Sequence, residues 1–360
     1  MRNRRLAGLL ATVLFHPVLS AAPQTDPSSP AVAFAPPSEH GGPQAWAISF
    51  DNDLLAPRHT DRDYTAGFAL TYAGRQGVDH WRPLDNTLGW VDRSLGLDRA
   101  LPDMDVHTPA IEFGVYGFTP EDIDQANVVH GDRPYASLVY LSNSRSYVNP
   151  KTGDGWTSSL TLGMLGLDVF KGGQNAVHQV LSSEKARGWD HQVSDGGEPT
   201  LRYSLAYHDY LDISTPSSKF KATYYASAGY LTEAGVALTF RDGLISSPDN
   251  RFNPELTAYG ERVNETSAGQ ARESYFWGGV ALKARAYNAF LEGQFRHSDY
   301  TIDRSDVRPL LAEAWLGYTH SLGQGYKLSY VARVQSSEVD GGDADRTLAW
   351  GGLIFSKTFN

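Results

Sequence analysis

The stretch YKLSYVARVQ, residues 326–335, decides the fold. Tyr326, Leu328, Tyr330, Ala332 and Val334 fall on one side of an extended chain, and Lys327, Ser329, Val331, Arg333 and Gln335 on the other. Successive side chains of a strand point to opposite faces, so this is a half-buried strand. The same period of two recurs at 65–72, where Ala66, Phe68, Leu70 and Tyr72 oppose Thr65, Gly67, Ala69 and Thr71. It recurs again in 157–165 and in 201–208, where Leu201, Tyr203, Leu205 and Tyr207 oppose Arg202, Ser204, Ala206 and His208.

The two faces separate the β classes. One is rich in Tyr, Trp, Phe and Leu; the other carries Gly, Ser, Thr, Lys and Arg. A membrane β-barrel wants that distribution, with lipid outside and a polar lumen. A soluble sandwich or barrel remains the alternative on periodicity alone. Trp46, Tyr72, Trp156, Tyr203, Trp277, Tyr326 and Trp350 stand near strand ends, which predicts aromatic belts at the lipid headgroups. Thirteen candidate strands can be marked, among them 220–229, 233–241, 274–285 and 288–296. A single-chain bacterial barrel has an even number, so one is surplus. The adjacent pair 220–229 and 233–241, readable as one bent strand, is the doubtful place.

Composition agrees. The 360 residues contain no Cys, 35 Gly and 12% aromatics, and the formal net charge is −10. An acidic balance argues against a nucleic-acid binder, and the lack of Cys removes disulfides, thiolate nucleophiles and thiolate metal sites. Mean hydropathy is −0.38, and past residue 22 no apolar run suits a spanning helix. Residues 1–22 have a basic start (Arg2, Arg4, Arg5), an apolar core from Leu6 to Leu19, and small residues at Ser20-Ala21-Ala22. That is the pattern of a secretory signal peptide. Residues 23–43, rich in Pro, Ser and Ala, read as a disordered linker. Residues 44–360 then form one outer-membrane β-barrel domain, for which a monomer suffices.

Residues 167–187, LDVFKGGQNAVHQVLSSEKAR, break the alternation. Ala176, Val177, Val180 and Leu181 make a helical stripe, which predicts a short helix in an extracellular loop. Gln174 and His178 lie four apart on it and share a face. Histidine is the usual general base near neutral pH. Ser182, a further four residues on, leaves a His–Ser pair open, but no G-x-S-x-G elbow is present. Asp51, Asn52 and Asp53 end the first strand with hard oxygen donors suited to Ca²⁺; an Asx-rich turn is the plain alternative. DRDYTAG at 61–67 brings Thr65 back toward Asp53 across a hairpin. GDRPYA at 131–136 offers Arg133, which either binds an anionic group bidentately or pairs with a nearby acid. Lys171, Arg58 and Arg62 add positive charge at the same rim.

In order and spacing, ISFDNDLLAPRHTDRDYTAGFALTY, DRPYASLVYL, GGQNAVHQVL followed by GWDHQ, and VQSSEVDGG with LAWGGLIFSKTF resemble the outer-membrane lipid A 3′-O-deacylase family from about residue 44 to the C-terminus. The resemblance implies a twelve-stranded outer-membrane barrel and Ca²⁺-dependent hydrolysis of the ester bearing the 3′ acyloxyacyl chain of lipid A. It implies metal binding by Asn52 and Asp53, and catalytic roles for Thr65, Gln174 and His178, with His178 activating water. The family's assisting basic residue has no secure match; Arg133 is the substitute, with Lys171 as a second substrate-binding cation. The partners implied are lipopolysaccharide and outer-membrane lipid. Two other readings stay open: a phospholipase-type acyl hydrolase with a His–Ser site, and a non-enzymatic porin or adhesin.

Overall fold

The computed structural model describes residues 44–56, 63–74, 81–97, 105–149, 154–171, 186–262 and 272–359. The expected signal peptide and linker, Arg58, Arg62, Gln174, His178 and Ser182 lie outside the described residues. The strands are β1 (Gln44–Asn52), β2 (Asp63–Ala73), β3 (Asp105–Thr119), β4 (Ala136–Val148), β5 (Gly155–Leu165), β6 (Glu198–Tyr210), β7 (Ser218–Gly229), β8 (Leu231–Leu244), β9 (Ser274–Asn288), β10 (Leu310–Gly323), β11 (Tyr326–Gln335) and β12 (Leu348–Phe359). Each pairs antiparallel with its neighbours in sequence, and β1 pairs with β12 from Gln44↔Phe359 to Asn52↔Gly351, which closes the barrel. Both ends of the barrel chain lie at one rim, here the terminal rim. The connections after β1, β3, β5, β7, β9 and β11 lie at the other, the loop rim.

The surplus strand was placed wrongly. β7 and β8 are separate strands that meet at Tyr230, whereas residues 288–296 are not a strand. Asn288 caps a single helical turn, α2 (Ala289–Glu292), by accepting from the Phe290 amide. Ala289, Phe290 and Leu291 are then buried. A short apolar run does not distinguish a strand from a buried turn of helix.

The lumen is polar in its lining but filled. Residues 245–262, between β8 and β9, fold up into it from the terminal rim. Glu255 meets Lys221 at 2.7 Å and His208 at 3.4 Å. Glu261 meets Arg202 at 3.1 Å, and Arg262 pairs with Asp51. The tip carries Tyr259 in the left-handed region, φ 55°, among the rings of Tyr64, Phe118, Phe290 and Trp350. Tyr140 donates to the Gly260 carbonyl at 2.9 Å. A Cβ on Gly260 would stand 2.9 Å from the Tyr64 hydroxyl oxygen and 3.0 Å from the Tyr116 ring, so only glycine passes there.

The belt prediction is half right. Trp46 packs on Phe355 and Phe355 on Tyr326, and Trp156 packs on Tyr207, all on the outside near the terminal rim. Trp277 and Trp350 face the lumen instead: Trp277 packs on Phe252 of the inserted segment and donates to Thr319, and Trp350 packs on Tyr259. A large filled lumen buries aromatics as readily as lipid accepts them, and the two destinations are alike in sequence.

A helix outside the barrel, α1 (Arg82–Ser94), had no sequence expectation. It docks on the outer wall of β4 and β5, with Leu84 and Leu88 against Leu160. That wall carries polar groups where lipid would otherwise lie. Asp85 receives Arg145 at 2.6 Å and Asn143 at 3.0 Å. Asp92 accepts from Tyr147, Ser158 and Tyr203 at 2.7–2.9 Å. Trp90 and Leu95 stay exposed, as in a helix lying in a membrane interface. Asp92→Ala strands three hydroxyls on a lipid-facing wall, at roughly 1–3 kcal/mol for each unsatisfied group. Thermal unfolding followed by gel mobility should show a clearly lowered midpoint for Asp92→Ala, and little change for Trp90→Ala.

Candidate active site

β1 ends in a turn that Asn52 caps. Its side-chain oxygen accepts from the Leu54 amide at 2.8 Å, opening the 3₁₀ turn Asp53–Leu55, and its side-chain nitrogen donates to the Thr65 carbonyl at 2.6 Å. Asn52 therefore ties β1 to the start of β2. Asp51 faces the lumen and is committed to Arg262. Asp53 leaves the strand register and is fully buried.

Thr65 sits at a bulge. Tyr64 pairs with Phe118 and Ala66 with Gly117, so Thr65 is the extra residue. Strict alternation would put Tyr64 and Ala66 on the same face. The bulge sends Tyr64 into the lumen and leaves Ala66 outside, re-aiming the residue between them. The Thr65 hydroxyl lies 2.7 Å from that of Thr119, the last residue of β3, and both side chains are buried. Just before the bulge, Asp63 has φ 72°, a conformation Asp tolerates better than most residues. Arg346 holds it at 2.8 Å and reaches Asp132 at 2.7 Å. Three motifs distant in sequence, DRDYTAG, GDRPYA and the β11–β12 loop, thus meet at one guanidinium.

The long β5–β6 loop folds back on the outside of the wall. Phe170 packs with Ile123, Tyr135, Ala186 and Trp189, against Ala66 and Val115. A Cβ on Gly117 would stand 2.8 Å from the Phe170 ring. Residues 169–171 are helical where this part of the loop stops being described, three residues before Gln174. The outer-wall rung Asn52–Ala66–Gly117, with Thr65 and Thr119 behind it, is therefore faced by the loop that carries the expected helix. Lys171 is half-exposed and paired with Asp190; that hydrogen bond raises the Lys171 pKa above its ordinary value.

Arg133 faces the lumen and not the outer wall. It is buried at the mouth of the lumen, with its guanidinium 4.3 Å over the Phe118 ring and paired with Glu338. Sequence weighed Asp132 and Asp122 as partners; Glu338, in a distant loop, supplies the charge instead. The donors at the Asn52 end are all oxygens: the Asp53 carboxylate, the Thr65 hydroxyl and nearby carbonyls. That set fits a hard cation such as Ca²⁺ rather than a soft one. The Asn52 side-chain oxygen already caps the turn. Thr119, Phe170 and Arg346 were missed from sequence, because a lone Thr, Phe or Arg carries no spacing signal.

The family model for outer membrane protein LpxR matches residues 10–359. The chain belongs to the LpxR family. Among solved structures, it is similar to LpxR from Salmonella typhimurium, with 17% identity, a TM-score of 0.64, and coverage of 88% of this chain and 100% of that one. Other barrels match more distantly: the β domain of the Bordetella autotransporter BrkA at 10% identity and TM-score 0.34, covering 88% of this chain and 99% of that one, and the NalP translocator domain from Neisseria meningitidis at 8% and 0.40, covering 89% and 90%. No curated protein matches the sequence. As an LpxR-family barrel, the protein is an integral protein of the bacterial outer membrane.

Two predictions follow from the geometry. Gly117→Val should expel Phe170 and detach the β5–β6 loop from the wall: limited proteolysis would then cut the loop faster while the barrel keeps its heat-dependent gel shift. Unchanged proteolysis would mean that Phe170 does not hold the loop. The other concerns Glu338. Burial pushes its pKa up, but Arg133 and Arg285 outweigh burial and hold it at about 2. The pairing therefore stabilises the fold fully above the ordinary carboxylate range and is lost as pH falls toward 2. Glu338→Gln leaves two buried guanidinium groups short of a counter-charge, a cost of roughly 3–5 kcal/mol. The melting difference from wild type should be large at pH 7 and vanish toward pH 2.

Proposed function

We propose that the protein hydrolyses the ester bearing the 3′-linked acyloxyacyl chain of lipid A at the outer leaflet of the outer membrane. One observation carries this reading: the loop leading to Gln174 and His178 is pinned by Phe170 to the lipid-facing wall, beside the Asn52–Thr65 end. A lipid substrate held in the membrane meets that wall directly and needs no path through the lumen.

His178 takes the proton from the attacking water. Gln174, four residues earlier in sequence, orients the imidazole or a substrate oxygen, as the spacing of an expected helix would allow. Thr65, steadied by Thr119, presents its hydroxyl to the substrate. Asp53 would hold the calcium ion, with Asn52 joining through the second lone pair of the oxygen that caps the turn; the ion's chemistry when bound is to polarise the ester carbonyl and stabilise the oxyanion. Lys171, now paired with Asp190, would supply a cation for the phosphates of lipid A. The inserted segment 245–262 fills the lumen, which disfavours the porin reading.

Expression in a host with hexa-acylated lipid A tests the proposal by mass spectrometry of the extracted lipid. Wild type should remove two acyl chains together from the 3′ position. A chelator should stop the reaction, and His178→Ala should slow it by about 10²–10⁴-fold. Unchanged lipid A from correctly inserted wild-type protein, with Ca²⁺ present, would refute it. Loss on Ser182→Ala with full activity in Asp53→Ala would point to a His–Ser hydrolase instead.

A further inference from the structure

The outer faces of β1, β2 and β3 line up as a ladder of rungs. The first is Asn52–Ala66–Gly117, at the candidate site. Below it come Phe50–Phe68–Val115, then Ile48–Leu70–Phe113. The rung below that, Trp46–Tyr72–Ile111, belongs to the aromatic belt near the terminal rim. Below the first rung no side chain in this lane is charged. Phe50, Phe68 and Leu70 are about two-fifths exposed, as a lipid-facing surface requires.

The lane ends in a groove of about 350 Å³, bounded by Trp46, Ile48, Leu70, Tyr72, Phe113 and Trp81. That volume lies in the range of small-molecule sites, roughly 300–1,000 Å³. Trp81 does not belong to the wall: it stands at the start of α1, whose Asp85 and Asp92 fasten the helix to β4 and β5. The helix therefore carries an indole to the foot of a lane that begins at the candidate site. Antiparallel strands rise ~3.4 Å per residue, so Ile48 lies roughly 14 Å and Trp46 roughly 20 Å along the wall from Asn52. The hydrocarbon core is ~30 Å thick, so the chains of one leaflet extend roughly 15 Å. An acyl chain whose ester rests at Asn52 and Thr65 would end in this groove.

We propose that the groove beneath Trp81 receives the methyl end of the substrate's acyl chain, so that Trp81 and the Ile48 rung set the chain length the enzyme accepts. The inference rests on the hydrolase reading above and extends it to the substrate's hydrocarbon. The occupant is an outer-leaflet acyl chain, because the groove is continuous with the lane from the site and with the lipid-contacting surface of the barrel. Trp81 and Ile48 take no part in the chemistry.

Purified wild type, Trp81→Ala and Ile48→Trp in vesicles would be given lipid A preparations that differ in the length of the 3′-linked chain, with release followed by mass spectrometry. Trp81→Ala opens the foot of the lane and should shift preference toward longer chains. Ile48→Trp fills the groove and should shift it toward shorter ones. In both cases the ratio of rates between long and short chains should change on the order of tenfold, as one or two methylenes in an apolar pocket allow. Parallel profiles for all three proteins would overturn the proposal while leaving the hydrolase reading intact. Wild type inactive on every chain length would instead refute that reading.

A second measurement needs no turnover. Lipid A with a photoreactive diazirine at the end of the 3′-linked chain should label peptides containing Trp81 or residues 46–48. Labelling spread evenly around the barrel, or matched by a phospholipid carrying the same diazirine, would overturn the proposal. Gel mobility before and after heating verifies that both variants are folded.

Discussion

The hydrogen bonds between β1 and β12 are the constraint on which everything else rests. Inside a bilayer no water satisfies an unpaired strand edge, so a sheet in lipid must close. Closure leaves each side chain only two destinations, lumen or lipid. The wall strands carry Lys221, Arg202, Lys283, Arg285 and Arg333, none of which lipid tolerates. All five point inward, where each needs an acid. The wall supplies Glu233 and Glu313 for Arg285, Lys283 and Arg333. Lys221 and Arg202 are met by Glu255 and Glu261, which lie on the inserted segment. That segment is an electrostatic completion of the barrel, since an isolated buried charge costs far more than the ordering of a loop.

With the lumen filled, the candidate site lies on the outside of the wall. A β-bulge and one capping asparagine shape it there. The bulge at Thr65 separates Tyr64 from Ala66, so one stretch of β2 contributes both to the packed interior and to the outer face. Asn52 spans the gap between β1 and the bulged backbone. Arg346 fixes Asp63 in its left-handed conformation, which sets the direction from which the bulge is entered. The positions of Thr65 and Asn52 are therefore determined by loops that are far apart in the chain and joined only by closure.

Sequence alternation was enough for the barrel, for all twelve strands to within about four residues at their ends, and for the separation of lumen from lipid along β2, β5, β6 and β11. It failed where two environments ask for the same residues. Trp277 and Trp350 are aromatic whether they meet headgroups or a packed lumen, and the run around Phe290 is apolar whether strand or helical turn. Arg133 shows the same limit for charge: nothing local reveals that its partner is Glu338, two hundred residues away. The 51–53 cluster and Thr65 were legible as neighbours because a hairpin brings Thr65 back toward Asp53 over a short loop; the bond from Asn52 to the Thr65 carbonyl was not. Thr119 and Phe170 were not, since their importance comes from what closure sets against them.

On the hydrolase proposal, α1 gives the barrel a means of reading its substrate. A polar patch at Asn143, Arg145 and Ser158 in a lipid-facing wall is a liability unless something covers it. Asp85 and Asp92 cover it with a helix, and the helix is long enough to bring Trp81 round to β1 and β2. The interaction that repairs the wall on one side thereby closes the groove on the other. Selectivity for a hydrocarbon chain needs a rigid end-stop at a fixed distance from the reacting ester. Here both ends of that distance are anchored to the same sheet: Asn52 by its bonds to Leu54 and Thr65, and Trp81 through the carboxylates of α1. A wall that resists stretching, because each of its strands is hydrogen-bonded to a neighbour on both sides, is what would make such a length meaningful.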